Sequence, residues 1–237
     1  RTQEQKTLSV DFSKIGHMAI YGASGTGKTT FLQSLVYSMV CEYQYTPDEL
    51  NIYAMDFGGR NMGYLAKLPH TGGVVFADDE AGVSDLAITL SDIIEERKRL
   101  FAMNNCGTFI DYRSVSQKPL PAIMVLIDNF ASFRDKYMDV ADQFVEIISA
   151  GRTFGVYFVI TGTTKNSIYY KVTEQIAAYF TLKLNDPNTY LDIFNVRPPI
   201  VPEDISGRGI TAIGREIVEF QTALALDSQT EADRLLA

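Results

Sequence analysis

Eight consecutive residues, 22–29, have the types and the spacing needed to hold a phosphate group. They read Gly-Ala-Ser-Gly-Thr-Gly-Lys-Thr and fit the pattern G-x-x-x-x-G-K-[ST]. Glycines let backbone N–H groups curl around an anion, and the N-terminus of a following helix adds partial positive charge. A chance glycine-rich turn is the alternative. The pattern predicts a nucleotide-binding loop formed by Gly22, Ala23, Ser24, Gly25, Thr26, Gly27, Lys28, Thr29 and Thr30.

The sequence on either side of this loop supplies the two elements that must position it. Residues 17–21 form a short apolar run, which predicts a buried strand. Residues 30–40 place apolar side chains at a helical period, which predicts a helix starting at the loop. In that arrangement Lys28 reaches the β- and γ-phosphates, and the hydroxyl of Thr29 binds Mg²⁺.

A phosphate loop of this kind needs an acid that helps to hold Mg²⁺ from the end of a neighbouring hydrophobic strand. Asp128 follows the apolar run 122–127 and fits that requirement. A helix cap is the alternative role for Asp128. We therefore expect ATP and Mg²⁺ as ligands, with Thr29 and Asp128 as the metal-binding residues.

The residue after the acid decides what we expect of hydrolysis. In many ATPases with this loop, a glutamate at that position polarises the attacking water, but here it is Asn129. An amide can orient water but cannot accept its proton at neutral pH. Lys28, Asp128 and the degenerate Asn129 therefore predict a site that binds ATP and hydrolyses it slowly or not at all.

Other candidate groups are less specific. Thr161 and Thr163, with Thr164, follow the next apolar strand and could sense the γ-phosphate, although plain turn threonines would look the same. Arg152 and Arg208, with Arg60, are candidates for an arginine finger acting on a neighbouring subunit, although surface arginines usually form salt bridges. We expect structural roles for His17 and His70.

Composition limits the class of protein. The chain has 237 residues, of which 46% are hydrophobic and 21% charged, and this suits one α/β domain. Its net charge of −8 argues against a surface that wraps duplex DNA. It contains no apolar run long enough to span a membrane, and its start at Arg1 suggests a fragment of a longer protein.

Alternating strands and helices predict a doubly wound, largely parallel sheet flanked by helices. We expect an edge strand at 8–12, a long helix at about 80–104, and an antiparallel C-terminal hairpin at 209–213 and 216–224. The charged run 95–99 predicts a solvated face of the long helix with i,i+4 pairs. The predicted organisation is a linker at 1–7, a domain at 8–226 and a second linker at 227–237.

These residues together resemble the FtsK/SpoIIIE family of ring-forming motor ATPases, whose fold is the P-loop NTPase fold of the RecA/FtsK type. The resemblance covers about 8–225. It rests on the loop at 22–29, on Leu-Pro-His at 68–70, on Glu-Glu-Arg-Lys-Arg-Leu-Phe at 95–101, and on the segments 122–128 and 151–160. The DNA-translocating branch usually has an acid at the position of Asn129 and Ala-Thr-Gln-Arg-Pro at 161–165. The chain departs from that branch at both places.

The departures resemble the EssC/EccC branch, the membrane-anchored ATPases of type VII secretion, and especially their second ATPase domain. Asp-Phe-Gly-Gly at 56–59, Ile-Asp-Asn-Phe at 127–130 and Ser-Gly-Arg-Gly at 206–209 carry this similarity, with Glu-Phe-Gln-Thr at 219–222. The resemblance implies a location at the cytoplasmic face of the cell membrane, through a parent chain only. It also implies neighbouring FtsK-like ATPase domains, a hexameric ring and WXG100 proteins as exported cargo.

Three hypotheses remain open at this stage. The first is an ATP-binding module of a protein-export motor, in which bound nucleotide holds domains together. The second is an ATP-driven DNA translocase, with which the acidic charge agrees less well than with a protein-export role. The third is a structural repeat that binds no nucleotide.

Overall fold

A computed structural model describes residues 6–116 and 118–224. Within these residues, eight strands form one sheet in the order β3-β2-β4-β5-β1-β6-β7-β8. The strands are β1 (His17–Tyr21), β2 (Leu50–Asp56), β3 (Thr71–Phe76), β4 (Ala122–Asp128), β5 (Val156–Gly162), β6 (Ile176–Leu182), β7 (Arg208–Ile213) and β8 (Glu216–Gln221).

The six strands from β3 to β6 in this order are parallel, and β7 and β8 add an antiparallel hairpin at one edge. This confirms the predicted class, a largely parallel α/β sheet with an antiparallel C-terminal hairpin. The acid-bearing strand β4 does not pair with β1, because β5 lies between them.

Helices cover both faces of the sheet because the central strands are apolar on both sides. Met18 and Ile20 of β1 belong to the hydrophobic core on one face of the sheet, and Ala19 and Tyr21 belong to the core on the other face. The first face is covered by α2 (Lys28–Tyr37). The second is covered by α3 (Glu80–Met103), α5 (Phe130–Lys136), α6 (Met138–Gly151), α7 (Tyr170–Thr173) and α8 (Asn188–Phe194). The remaining helices are α1 (Phe12–Ile15) and α4 (Phe109–Val115).

The predicted edge strand at 8–12 is wrong, because α1 begins at Phe12. Asp11 caps this helix by accepting a hydrogen bond from the N–H of Ser13 at 3.0 Å, which favours a helical turn over an extended chain. The alternating side chains of this segment, Leu8, Val10 and Phe12, still pack against the core. Of the predicted linkers, 227–237 and residues 1–5 lie outside the described residues.

The solvated face predicted for 95–99 is wrong at Arg97, which is buried. Its guanidinium donates hydrogen bonds to the carbonyl oxygens of Pro121 and Phe154, at 2.5 Å each, and lies over the ring of Phe109. Burial lowers the pKa of Arg97 to about 10. Arg97 therefore satisfies backbone carbonyls next to the starts of β4 and β5, and the neighbouring Lys98–Glu95 pair is the exposed one.

Candidate nucleotide-binding site

The predicted phosphate loop leaves the carboxyl end of β1 and ends where α2 begins at Lys28. The first two residues of the loop are bound to the ends of the two strands beside β1. The N–H of Gly22 donates to the carbonyl of Gly162, at the end of β5, at 3.1 Å. The N–H of Ala23 donates to the carbonyl of Lys183, directly after β6, at 2.8 Å. Gly25 and Gly27 have positive φ angles, which explains the glycines there. The sequence thus builds a loop of the expected type at the N-terminus of a helix.

The side chain of Lys28 lies over this loop. Its ammonium donates to the carbonyl oxygens of Gly22 at 2.8 Å and Ala23 at 2.9 Å. Burial lowers the pKa of Lys28, and the nearby Asp128 carboxylate partly opposes that shift. The loop therefore holds a partly desolvated cation at the position where the sequence predicts contact with phosphates.

Thr29 and Asp128 meet although 99 residues separate them in the sequence. The hydroxyl of Thr29 donates to the Asp128 carboxylate at 2.8 Å. A hydroxyl and a carboxylate are the hard oxygen donors that Mg²⁺ takes in combination with water and phosphate oxygens. The described residues hold no cluster of three or more His, Cys, Asp or Glu side chains suited to a metal. The Thr29 hydroxyl and the Asp128 carboxylate therefore fit a magnesium ion whose remaining ligands come from water and a nucleotide.

Thr161 is on β5, the strand that lies between β4 and β1 in the sheet. It is buried, and its hydroxyl donates to the second oxygen of Asp128 at 2.6 Å and accepts from the N–H of Asn129 at 2.8 Å. Its single hydroxyl hydrogen is therefore used on the acid. The sequence named Thr161 as a sensor of phosphate, and the geometry assigns it a contact that orients Asp128.

Asn129 is the N-cap of α5, a helix that the sequence did not predict. Its backbone is left-handed, with φ 65° and ψ 69°, a conformation that asparagine tolerates better than most residues. Its side chain accepts from the N–H of Ser132 at 3.4 Å and donates to the Ser132 hydroxyl at 2.6 Å and to the carbonyl of Phe57 at 3.3 Å. The amide is therefore engaged as a helix cap beside the acid.

Sequence reasoning missed the turn at 56–62, which lies against the Asp128 carboxylate. The buried carboxylate of Asp56, at the end of β2, accepts from the N–H groups of Gly58, Gly59 and Arg60 at 3.1 Å each and of Met62 at 2.8 Å. A Cβ on Gly58 would lie 2.4 Å from the Asp128 carboxylate. The signal in the sequence is the glycine pair at 58–59 directly after β2, since glycines at the end of a strand allow a ligand or a neighbouring loop to approach closely.

We predict that Gly58→Ala weakens the binding of Mg-ATP by about tenfold or more, because the new methyl group displaces Asp128 from Thr29. Gly63→Ala is the matched control, since its Cβ would meet only Phe76 at an ordinary 3.4 Å. Isothermal calorimetry on both variants checks the prediction. Equal affinities for the two variants would contradict it.

The remaining sensor candidates lie in the loop after β5. Thr163 is exposed, and Thr164 forms a capping box with Ser167 at the start of a short 3₁₀ helix. Both threonines are exposed, and the Thr164 side chain is engaged in the capping box, which leaves Thr163 as the sensor candidate without that engagement. Its role as a sensor stays a prediction.

The arginine-finger candidates are spread over the domain. Arg152 donates to the carbonyl of Lys14 at 2.8 Å, near the start of β1 and away from the phosphate loop. Arg60 pairs with Asp78 at 2.5 Å. Arg208 donates to the side chain of Gln221 at 3.2 Å and pairs with Glu203 at 3.5 Å. Their role towards a neighbouring subunit stays a prediction.

His17 has the geometry of a structural residue. Its Nδ1 accepts from the N–H of Phe158 at 3.1 Å, which leaves the proton on Nε2 to donate to Ile148 at 2.8 Å. Burial lowers its pKa to about 4, and the charge of Arg152 adds to that shift. His70 similarly contacts the carbonyl of Tyr45 at 2.6 Å.

Because the pKa of His17 is depressed in the native state, the unfolded chain binds more protons than the native state between about pH 4 and pH 6.5. Stability is therefore lost as the pH falls through this window, and we expect about 2 kcal/mol of this loss between pH 7 and pH 5. His17→Asn keeps an acceptor for Phe158 and should lack this component. Urea unfolding of both proteins at the two pH values checks it, and an equal loss in both would contradict it.

No helix in the described ranges 6–116 and 118–224 is long and apolar enough to cross a membrane.

The FtsK/SpoIIIE family model matches residues 2–189 of the chain. The ESX secretion system protein YukB of Bacillus subtilis is 30% identical over 230 residues, which are 97% of this chain and 15% of YukB. The chain therefore corresponds to a small part of this relative.

Several solved structures are similar to this chain, and two of them contain ATPase domains 2 and 3 of such proteins. EssC (ATPases 2 and 3) from Geobacillus thermodenitrificans matches with a TM-score of 0.86 and 24% identity, over 94% of this chain and 42% of that one, and supports the fold alone. Thermomonospora curvata EccC (ATPases 2 and 3), in complex with a signal sequence peptide, matches with a TM-score of 0.82 and 26% identity, over 94% and 41%. Given the family match over 2–189 and the phosphate loop, the chain belongs to the FtsK/SpoIIIE family and is similar to ATPase domains of type VII secretion systems.

Proposed function

We propose that this chain is an ATP-binding domain of a type VII secretion ATPase, in which bound Mg-ATP holds neighbouring ATPase domains together and is hydrolysed slowly or not at all. The observation that carries the proposal is the contact between Thr29 and Asp128 beside the loop that holds Lys28. This arrangement contains the parts needed to bind a nucleotide with its metal.

The binding roles follow from the loop residues. Backbone N–H groups of the loop after Ala23, whose own N–H donates to Lys183, would cradle phosphate oxygens, and the Lys28 ammonium would bond to the β- and γ-phosphates in place of the loop carbonyls. Thr29 and Asp128 would hold the magnesium ion, which when bound would supply positive charge opposite the phosphates. The Thr161 hydroxyl donates a hydrogen bond to the Asp128 carboxylate, and Gly58, which lacks a Cβ, leaves room for that carboxylate.

Slow hydrolysis follows from the position after the acid. The Asn129 amide is engaged with Ser132 and Phe57, and it cannot accept a proton from water. A positioned general base contributes about 10²–10⁴ to the rate of a proton-transfer step. A bound ATP that is hydrolysed this slowly acts as a structural ligand and stabilises the domain arrangement that it contacts.

The wider context is also a proposal. YukB is a secretion system protein of which this chain matches 15%, and the EccC structure includes a signal sequence peptide. We propose that the domain lies at the cytoplasmic face of the cell membrane within a longer chain, beside other FtsK-like ATPase domains and in a hexameric ring. The exported cargo we propose is of the WXG100 type.

A DNA-translocating function would need a basic surface, whereas the chain carries a net charge of −8.

Calorimetry and phosphate release on the wild-type protein test the proposal. We expect micromolar or tighter binding of Mg-ATP and a turnover below about 0.1 s⁻¹, given the missing base. Absence of binding would favour a nucleotide-free structural repeat, and DNA-stimulated hydrolysis would favour a translocase.

A further inference from the structure

A segment close to the C-terminus lies directly on the phosphate loop. We call residues 203–207 the strap. The N–H of Gly207 in the strap donates to the carbonyl of Thr26 at 2.8 Å. A Cβ on Gly27 would lie only 3.1 Å from the same Gly207 nitrogen, so the two backbones pack closely. The loop is therefore held by a part of the chain about 180 residues away.

The end of β8 holds the strap in turn. The N–H of Thr222 donates to Gly207 at 2.8 Å, and the side-chain amide of Gln221 donates to Ser206 at 3.0 Å. The other end of this amide accepts from Arg208 at 3.2 Å. Gln221 thus bridges the strap and the start of β7 with one side chain.

The same end of β8 also contacts the helix that the phosphate loop opens. The hydroxyl of Ser34 on α2 donates to the carbonyl of Ala223. The ring of Phe220 lies 5.8 Å from that of Phe31, in an edge-to-face arrangement. Residues 220–223 are therefore attached both to the loop, through the strap, and to α2.

The bond to Thr26 has a consequence for anion binding. A peptide unit is planar, so the direction of the Thr26 carbonyl fixes the direction of the Gly27 N–H on the other side of the same plane. That N–H is one of the donors expected to face phosphate. Holding the carbonyl before ligand arrives removes part of the ordering cost of binding.

We propose that the strap and the end of β8 preorganise the phosphate loop, so that Gln221 is a positioning residue for nucleotide, and that bound nucleotide stabilises residues 221–223 in return. Coupling between two sites is reciprocal, so each effect requires the other. The inference rests on the proposed function, because it assumes that the loop binds ATP. Under this proposal, the affinity of the phosphate loop for nucleotide depends on the contacts that residues 221–223 make.

The first experiment compares Gln221→Met with Gln143→Met, the same change at an exposed position of α6. Gln221→Met removes both side-chain hydrogen bonds and keeps the side-chain length. We expect affinity for Mg-ATP to fall about tenfold in Gln221→Met and to stay at the wild-type value in the control, with similar melting temperatures.

The second experiment follows amide hydrogen exchange in the wild-type protein. We expect Mg-ATP to slow exchange at Gly207 and Thr222 by about tenfold, in proportion to the same coupling. If the wild type binds Mg-ATP but Gln221→Met binds it equally well, or exchange at these amides does not change, this inference is overturned and the proposed function stands. If the wild type does not bind Mg-ATP at all, both are overturned.

Discussion

Replacing Lys28 with alanine is expected to lower the affinity for Mg-ATP by about a hundredfold or more, because charge-assisted hydrogen bonds to two phosphates are lost. The substitution should leave the fold intact. Among the described residues, the ammonium donates to the carbonyl oxygens of Gly22 and Ala23, and burial lowers the pKa of Lys28. A cation that burial already disfavours adds little to the free energy of folding. Calorimetry gives the affinity, and thermal unfolding gives the stability.

Lys67→Ala provides the comparison, since Lys67 is an exposed lysine at the end of a 3₁₀ helix. It removes the same charge from the surface and should bind Mg-ATP as the wild type does. Retained binding in Lys28→Ala, or the same loss in both variants, would mean that the loop does not hold phosphate in the predicted way. Loss of folding in Lys28→Ala would show instead that its bonds to the loop carbonyls are structural.

The parts of the site that depend on local chain geometry could be predicted from the sequence. The glycine spacing at 22–27 and the apolar run before Asp128 each specify a short stretch of backbone, and the structure has both where the pattern places them. A motif of this kind carries its own turn and helix start. The hairpin at β7 and β8 was predictable for the same reason, because Gly214 and Arg215 form its turn.

The parts that depend on contacts across the sheet could not be predicted in this way. The pairing of Thr161 with Asp128 arises because β5 lies between β1 and β4, and a strand order of this kind leaves no mark in local sequence. The burial of Arg97 has a similar cause. Its partners are backbone carbonyls from two distant loops, so a charge pattern that suits a solvated helix face gave the wrong environment.

Asn129 shows how a residue type can be read correctly and its environment missed. The sequence indicated that an amide replaces the carboxylate needed as a base. It did not indicate that Asn129 has a left-handed backbone directly before α5 and caps that helix by accepting from the N–H of Ser132. Asparagine serves both the cap and the backbone conformation, so the position has a structural reason for its identity.

We expect Asn129→Glu to raise the rate of ATP hydrolysis by about tenfold or more, because a carboxylate can take a proton from the attacking water. The gain is smaller than that of an optimally placed base, since the side chain starts from a position directed towards Ser132 and Phe57. Loss of the cap and the left-handed backbone should cost about 2 kcal/mol of folding free energy. Single-turnover phosphate release measures the rate, and urea unfolding measures the cost.

Asn129→Asp separates charge from reach. Aspartate tolerates the left-handed backbone and can still accept from the N–H of Ser132, so its short carboxylate should remain at the cap. We therefore expect little change in hydrolysis for Asn129→Asp and the full increase for Asn129→Glu. If the glutamate variant folds and binds Mg-ATP but hydrolyses it no faster than the wild type, a missing base does not limit turnover. The limit then lies in the loop that carries Thr163 or in an arginine that a neighbouring domain must supply.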